Sequence, residues 1–164
     1  MSPRRRTGAP KAATAPAKAL PEALIEPLWV KICGDPKTKG SMRHIGHGRM
    51  VEQVSGSSGW RQRVGETLAR ALGTTPGPDG PVPEVAPCST PVEVWVRFLV
   101  KGDPIGIYSG DLDKLCRCVG DAMTDAGVIE DDRLIVKWTA TKERVSDTEL
   151  PGCVLGVRRI DLSG

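Results

Sequence analysis

The sequence predicts an α+β domain: a small mixed or antiparallel sheet with two main helices, in the order ββαβαββ. Three observations carry this expectation. Val92–Val100 (VEVWVRFLV) opens with alternating apolar and polar residues, the period-two pattern of a strand. Trp60, Val64, Leu68 and Leu72 recur every four residues, and Leu112, Leu115, Val119, Met123 and Ala126 share a second helical face. Short apolar runs on either side of these segments supply the other strands.

The chain of 164 residues has room for one domain with a real core. Residues 1–24 are rich in Ala, Pro, Lys and Arg and have no sustained apolar face. They are expected to form a disordered basic tail, which leaves 25–164 as the domain. The tail has no apolar stretch of the secretory kind, and its prolines at 3, 10, 16 and 21 oppose an amphipathic presequence helix. Nothing later is long and apolar enough to span a membrane.

Leu28–Cys33 (LWVKIC) reads as the first strand, followed by a glycine-rich basic loop over Gly34–Gly48. Arg49–Val54 suits a second short strand pairing back. Ser57 and Ser58 offer an N-cap for a helix over about Gly59–Leu72, which Gly73 ends. Thr74–Pro91 is rich in Pro and Gly, which excludes helix and central strand, so it reads as a linker. After the Val92–Val100 strand, Asp103–Gly110 is a loop carrying Tyr108, and a second helix runs over Asp111–Ala126, stopped by Gly127. Leu134–Thr141 and Val154–Ile160 complete the strands. The four tryptophans, Trp29, Trp60, Trp95 and Trp138, fall within strands and helix and are expected in the core rather than as base-stacking platforms.

Composition narrows the function. The net charge of +3 is unevenly spread: the tail contributes +4, so the remainder is slightly acidic. Within that remainder, Lys31–Arg63 holds seven basic and two acidic residues, and Asp111–Asp132 holds seven acidic and two basic. A basic half beside an acidic cluster suits a polyanion held against a metal site, although two solvated faces would look the same. The five cysteines are odd in number and lack zinc-type spacing, so reduced intracellular thiols are the simplest account and a cytoplasmic location follows.

The informative stretch is Gly110–Asp132, GDLDKLCRCVGDAMTDAGVIEDD. Asp111 and Asp113 form a D-x-D at the mouth of a helix, where both side chains can turn toward one ion. Asp131 and Asp132 arrive after a short turn. Clustered carboxylates repel one another unless a cation lies between them. Hard oxygen ligands suit Mg²⁺ or Mn²⁺, which activate water and stabilise charge in phosphodiester cleavage. Each residue also has a purely structural use. Asp111 can cap the helix, Asp113, Arg117 and Asp121 can form a salt-bridge ladder, and Asp131–Asp132 can make a turn. His44 and His47 at i, i+3 have no Cys or carboxylate near them in sequence to complete a metal site.

This stretch, continued to Lys142, resembles the signature of the RusA family of Holliday junction resolvases. The residues that carry the likeness are Asp111-Leu112-Asp113-Lys114-Leu115, Arg117, Asp121-Ala122-Met123, Gly127, Asp131-Asp132 and Lys142. A looser similarity runs upstream through Gly34-Asp35-Pro36 to Trp60. The resemblance implies a homodimeric, Mg²⁺-dependent endonuclease that cuts branched DNA such as four-way junctions, with a nucleoid-associated location. It implies that Asp111, Asp113 and Asp132 are the catalytic, metal-binding carboxylates, Asp131 being the less suited of its pair. It places Arg117 where the family has an essential lysine, a departure that keeps the charge but cannot give up a proton. Lys37, Lys39, Arg43, Arg49, Lys114 and Lys142 are then the residues expected to contact DNA. The alternative is a non-catalytic protein of the same scaffold that binds branched or single-stranded DNA; a small adaptor would bind none.

One geometric question stays open at this level. From Asp113 to Ala126 a helix rises about 20 Å. The segment Gly127–Asp132 can return about 20 Å if extended. Either Val128–Glu130 runs back along the helix, or the helix is shorter, or a second subunit completes the site.

Overall fold

The computed structural model describes residues 24, 26–38, 42–44, 50–52, 57–78, 80–106 and 109–163. Its strands are β1 (Leu28–Cys33), β2 (Met42–His44), β3 (Met50–Glu52), β4 (Thr74–Gly77), β5 (Gly80–Pro83), β6 (Val92–Val100), β7 (Ile135–Arg144) and β8 (Gly152–Arg159). The helices are α1 (Ser57–Leu72) and α2 (Leu112–Asp125), with a 3-10 turn at Asp132–Leu134. The class is α+β, with a mixed four-stranded sheet ordered β1-β8-β6-β7 and two helices.

The middle of the sheet follows from the alternation in β6. Val92, Val94, Val96, Phe98 and Val100 all point to one side and are at most 3% exposed. β8 lies antiparallel to β6 on one flank, and β7 lies parallel on the other. Two parallel neighbours need a long crossover, and α2 lies in that crossover between β6 and β7. β1 pairs with β8, so the edges are β1 and β7. Both helices pack together and join the buried face: Trp60, Val64 and Leu68 of α1 meet Leu115, Val119 and Met123 of α2 in one core. Gly65 lets the helices close up. A Cβ there would stand 3.1 Å from Ala126 Cβ and 3.2 Å from the Ala122 carbonyl. Arg61 of α1 reaches Asp125 of α2 at 2.5 Å and Asp121 at 3.7 Å, so these two carboxylates serve the helix pair.

Five expectations need correction. The order ββαβαββ omitted β2, β4 and β5. The segment read as a basic loop contains β2, which pairs with β3 in a separate ribbon, so β3 does not return to β1. The segment read as a linker contains the β4–β5 hairpin, with Pro76 opposite Pro81. A two-stranded ribbon leaves each strand an open edge, where a residue without an N–H is tolerated. The tail boundary at 24 falls too late. Leu24 is fully buried in the core, and its carbonyl accepts the Arg159 backbone N–H at 2.9 Å. Finally, Trp60 is a core residue but Trp29 is not: it is 55% exposed and stacks on Trp95.

The helices cover one side of the sheet. On the other side, Glu93 is 2% exposed and is held by Lys137 Nζ at 2.5 Å and Arg158 Nη2 at 3.1 Å. The Lys137 hydrogen bond, assisted by Arg158, holds the Glu93 carboxyl below the usual value against the opposing effect of burial. A carboxyl whose folded value is depressed adds stability above its unfolded value, and that stability drains away as pH falls through the folded value. Glu93→Gln is therefore expected to flatten the loss of stability below about pH 4.5, the ordinary glutamate range. Urea melts of parent and variant from pH 7 to pH 3 check this; identical pH profiles would contradict it.

Candidate active site

The mouth of α2 is built by a strained turn and a lysine from the sheet. Gly110 has φ +74°, and a Cβ there would collide with Thr38 Cγ2. Glycine meets both demands, and the close approach brings the start of the basic segment to the helix mouth. Lys142 of β7 reaches under this turn. Its ammonium donates to Ser109 Oγ at 3.1 Å and to the Gly110 carbonyl at 2.5 Å. Lys142, expected on DNA, is thus half-buried and engaged with the turn. A long cation anchored to two oxygens costs less to bury than a free one.

Asp111 holds the N-cap position, with an extended backbone (φ −76°, ψ 138°) and its carbonyl accepting from Leu115 N at 3.0 Å. Its side chain makes no capping hydrogen bond. Instead the carboxylate pairs with Lys114 Nζ at 2.7 Å. That hydrogen bond and charge, with a contribution from Lys142, hold the Asp111 carboxyl below its ordinary value. Two of the expected site residues, Asp111 and Lys114, are therefore partners of each other.

Asp113, Cys116, Arg117 and Gly120 follow at i, i+3, i+4 and i+7 and form one face of α2. They line a cavity of about 630 Å³ together with Asp132, Ile135 and Trp138. Asp132 reaches this cavity because the chain doubles back. Gly127, at φ +69°, ends the helix with its N–H bonded to the Thr124 carbonyl. Val128 and Ile129 are fully buried, and Val128 N–H returns to the Met123 carbonyl at 2.9 Å. The segment 87–89 clamps the returning leg. Cys88 N–H donates to the Val128 carbonyl and Glu130 N–H to the Cys88 carbonyl, each at 3.0 Å. The geometric question thus has its first answer, return along the helix within one chain.

The adjacent acids Asp131 and Asp132 have separate positions. Asp131 caps the 3-10 turn by accepting from Arg133 N at 2.9 Å, the turn role. Asp132 lines the cavity, and no hydrogen bond or ion pair of its carboxylate is recorded among the described residues. A Cβ at Gly120 would stand 3.5 Å from Asp132 Cβ and 3.4 Å from Ile135 Cδ1, ordinary contact distances. Gly120→Ala is accordingly expected to stabilise the fold by about 0.4–1 kcal/mol, by restricting the unfolded chain without a clash. Urea denaturation checks this, and a loss of stability would contradict the packing.

Burial, reinforced by the charge of Asp113, pushes the Cys116 thiol up to about 11. At neutral pH it stays protonated and is a poor nucleophile. Among the described residues no three His, Cys, Asp or Glu side chains converge closely enough to hold an ion. The three carboxylates named from the sequence divide into two: Asp113 and Asp132 share a cavity, and Asp111 is turned to Lys114. Of the expected DNA contacts, Lys37 pairs with Asp35 at 2.7 Å. Arg43 sits on β2, while Lys39 and Arg49 lie outside the described residues, as do His47 and Tyr108, which were not among the expected contacts. Sequence reasoning missed Ser109, Gly120 and Cys88. Gly120 could have been found, since it continues the spacing of Asp113, Cys116 and Arg117. Cys88 could not, because its bridge partner, Ile129, is forty-one residues away.

Among the described residues no helix is long and apolar enough to cross a membrane. A scan of the chain against protein-family models finds no match, and a comparison with curated proteins finds none.

Proposed function

We propose that this protein is a divalent-metal-dependent endonuclease for branched DNA, of the kind the RusA resemblance implies. The observation that carries the reading is the cavity itself. Asp113 and Arg117, one turn apart on α2, and Asp132, nineteen residues after Asp113, line a single space. A binding surface for phosphate alone has no use for two carboxylates facing it.

The donor chemistry fits a hard cation. Mg²⁺ is commonly bound by one or two carboxylates, with water and substrate phosphate filling the remaining positions. Asp113 and Asp132 would hold Mg²⁺ or Mn²⁺, which supplies charge neutralisation and an activated water at a phosphodiester. Arg117 binds the scissile phosphate through its planar fork and stays charged throughout, so it steadies developing negative charge and transfers no proton. Lys142 and Ser109 fix the turn that aims the start of α2, a positioning role. Two symmetric cuts across a four-way junction need two sites, which a homodimer provides.

The pairing of Asp111 with Lys114 favours a second reading, a binder of branched or single-stranded DNA that does not cut. A labelled synthetic four-way junction separates them. The nuclease reading expects nicks that appear with Mg²⁺ and vanish with chelator. Tight binding without nicks would replace it with the binding reading, and absence of binding would remove both.

A further inference from the structure

We infer that the open face of the sheet, opposite the helices, is a docking surface for an unpaired nucleic-acid strand, with the Trp29–Trp95 pair as its base-stacking platform. The inference is independent of the nuclease reading, because the surface shares no residue with the Asp113–Asp132 cavity.

The register of the sheet builds the platform. Trp29 on β1 and Trp95 on β6 both lie opposite Gly156 of β8. A Cβ at position 156 would come within 2.6–2.8 Å of three atoms of the Trp29 ring. Glycine therefore lets the Trp29 indole lie flat across β8 and stack on Trp95, with centroids 5.7 Å apart and planes 30° off parallel. Arg158 covers Trp95 at 5.3 Å from its centroid. Trp29 remains 55% exposed, an unusual state for the largest apolar side chain. Beside the rings is a hollow of about 400 Å³, with Thr139, Thr141 and Arg97 in its wall. It is large enough to accept a planar base and offers the Thr139 hydroxyl beside it, the Thr141 hydroxyl being donated to Glu143 at 3.1 Å.

Charge decides what covers this face. Lys31 follows Trp29 by two residues and Arg97 follows Trp95 by two, so both cations share the platform's side of the sheet. No ion pair of Lys31 or Arg97 is recorded among the described residues. Arg158 and Lys137 add two more cations, of which Glu93 balances one. Glu143 lies at the far end, opposite Leu99. The face is net positive. A second copy would bring a like-charged surface against it, whereas a polyanion complements it. Aromatic rings flanked by cations match the chemistry of a single strand: the bases stack and the phosphates meet the charges. A duplex hides its bases and could use only the charges.

The test uses the full chain, in chelator so that no cleavage intervenes. Fluorescence anisotropy compares a labelled oligothymidylate with an abasic strand of equal length and charge. Stacking on one exposed ring predicts that the parent prefers thymidylate by about fivefold or more. Trp29→Ala is expected to erase that preference while leaving abasic binding unchanged, and Trp29→Phe to restore part of it. Arg97→Glu is expected to weaken both strands and lower the log–log salt slope by about 0.7 for a lost single-strand contact. Three outcomes overturn the inference. One is a parent that does not distinguish the two strands. Another is a Trp29→Ala protein, folded by circular dichroism, that keeps the preference. The third is a Trp29→Ala protein that changes from dimer to monomer in sedimentation with strand binding intact, which would make a second copy the occupant.

Discussion

Asp113→Asn is expected to reduce junction cleavage by about a hundredfold or more and to leave junction binding at the parent level or tighter. Asp113 lines the cavity with Arg117 and Asp132, and no ion pair of its carboxylate is recorded among the described residues. Amide replacement preserves the shape but removes one of two charges available to hold a cation. It also removes a negative charge from the path of DNA phosphates, which is why binding does not suffer. Asp113 is exposed on the first turn of α2, so the fold should survive. Parallel measurement of cleavage rate and of binding in chelator checks both halves. Cleavage within about tenfold of the parent would count against the assignment.

The second large effect concerns stability. Leu24→Ala is expected to cost about 2–5 kcal/mol, the range for a leucine removed from a packed core. Leu24 is fully buried, and Arg159 N–H bonds its carbonyl next to the end of β8. A native domain holds only about 5–15 kcal/mol in total, so the loss is a large fraction of the whole. A chain beginning at residue 25 would lose the same side chain and the backbone bond. A chain that keeps Leu24 retains both. Urea denaturation of Leu24→Ala gives the number directly, and a change below about 1 kcal/mol would show that Leu24 is not a core residue.

The elements with strong periodicity were legible. Val92–Val100 has the same bounds in sequence and structure, because its opening alternation and its valine-rich apolar run both favour a strand. α2 differs from its expected range only at its two caps, Asp111 and Ala126. Leu24 was not legible, since one leucine among Ala and Pro has no period to reveal it. Neither was the three-residue strand β2, nor the pairing of the expected β3 with it, nor the proline-bearing ribbon, because pairing is a property of partners rather than of either segment. Trp29 and Trp95 misled for another reason. Apolar size suggests a core, but among the described residues only one side of this sheet carries a layer, and which strand residues face it is settled by register. For the site, the D-x-D and the D-D pair were visible as chemistry. That Asp132 rather than Asp131 reaches the cavity depends on the turn at Gly127 and the clamp at Cys88, contacts that no local pattern announces.

The adjacent pair therefore offers the most direct test. Parent, Asp131→Asn and Asp132→Asn are compared for Mg²⁺-dependent nicking of one labelled four-way junction under identical conditions. The two substitutions make the same chemical change one residue apart, on the turn cap and on the cavity wall. The account predicts that the parent nicks, that Asp131→Asn stays within about tenfold of it, and that Asp132→Asn falls by about a hundredfold or more. A parent that binds the junction without nicking it, or an Asp132→Asn variant that cuts as well as the parent, would contradict the assignment of this cavity as a nuclease site.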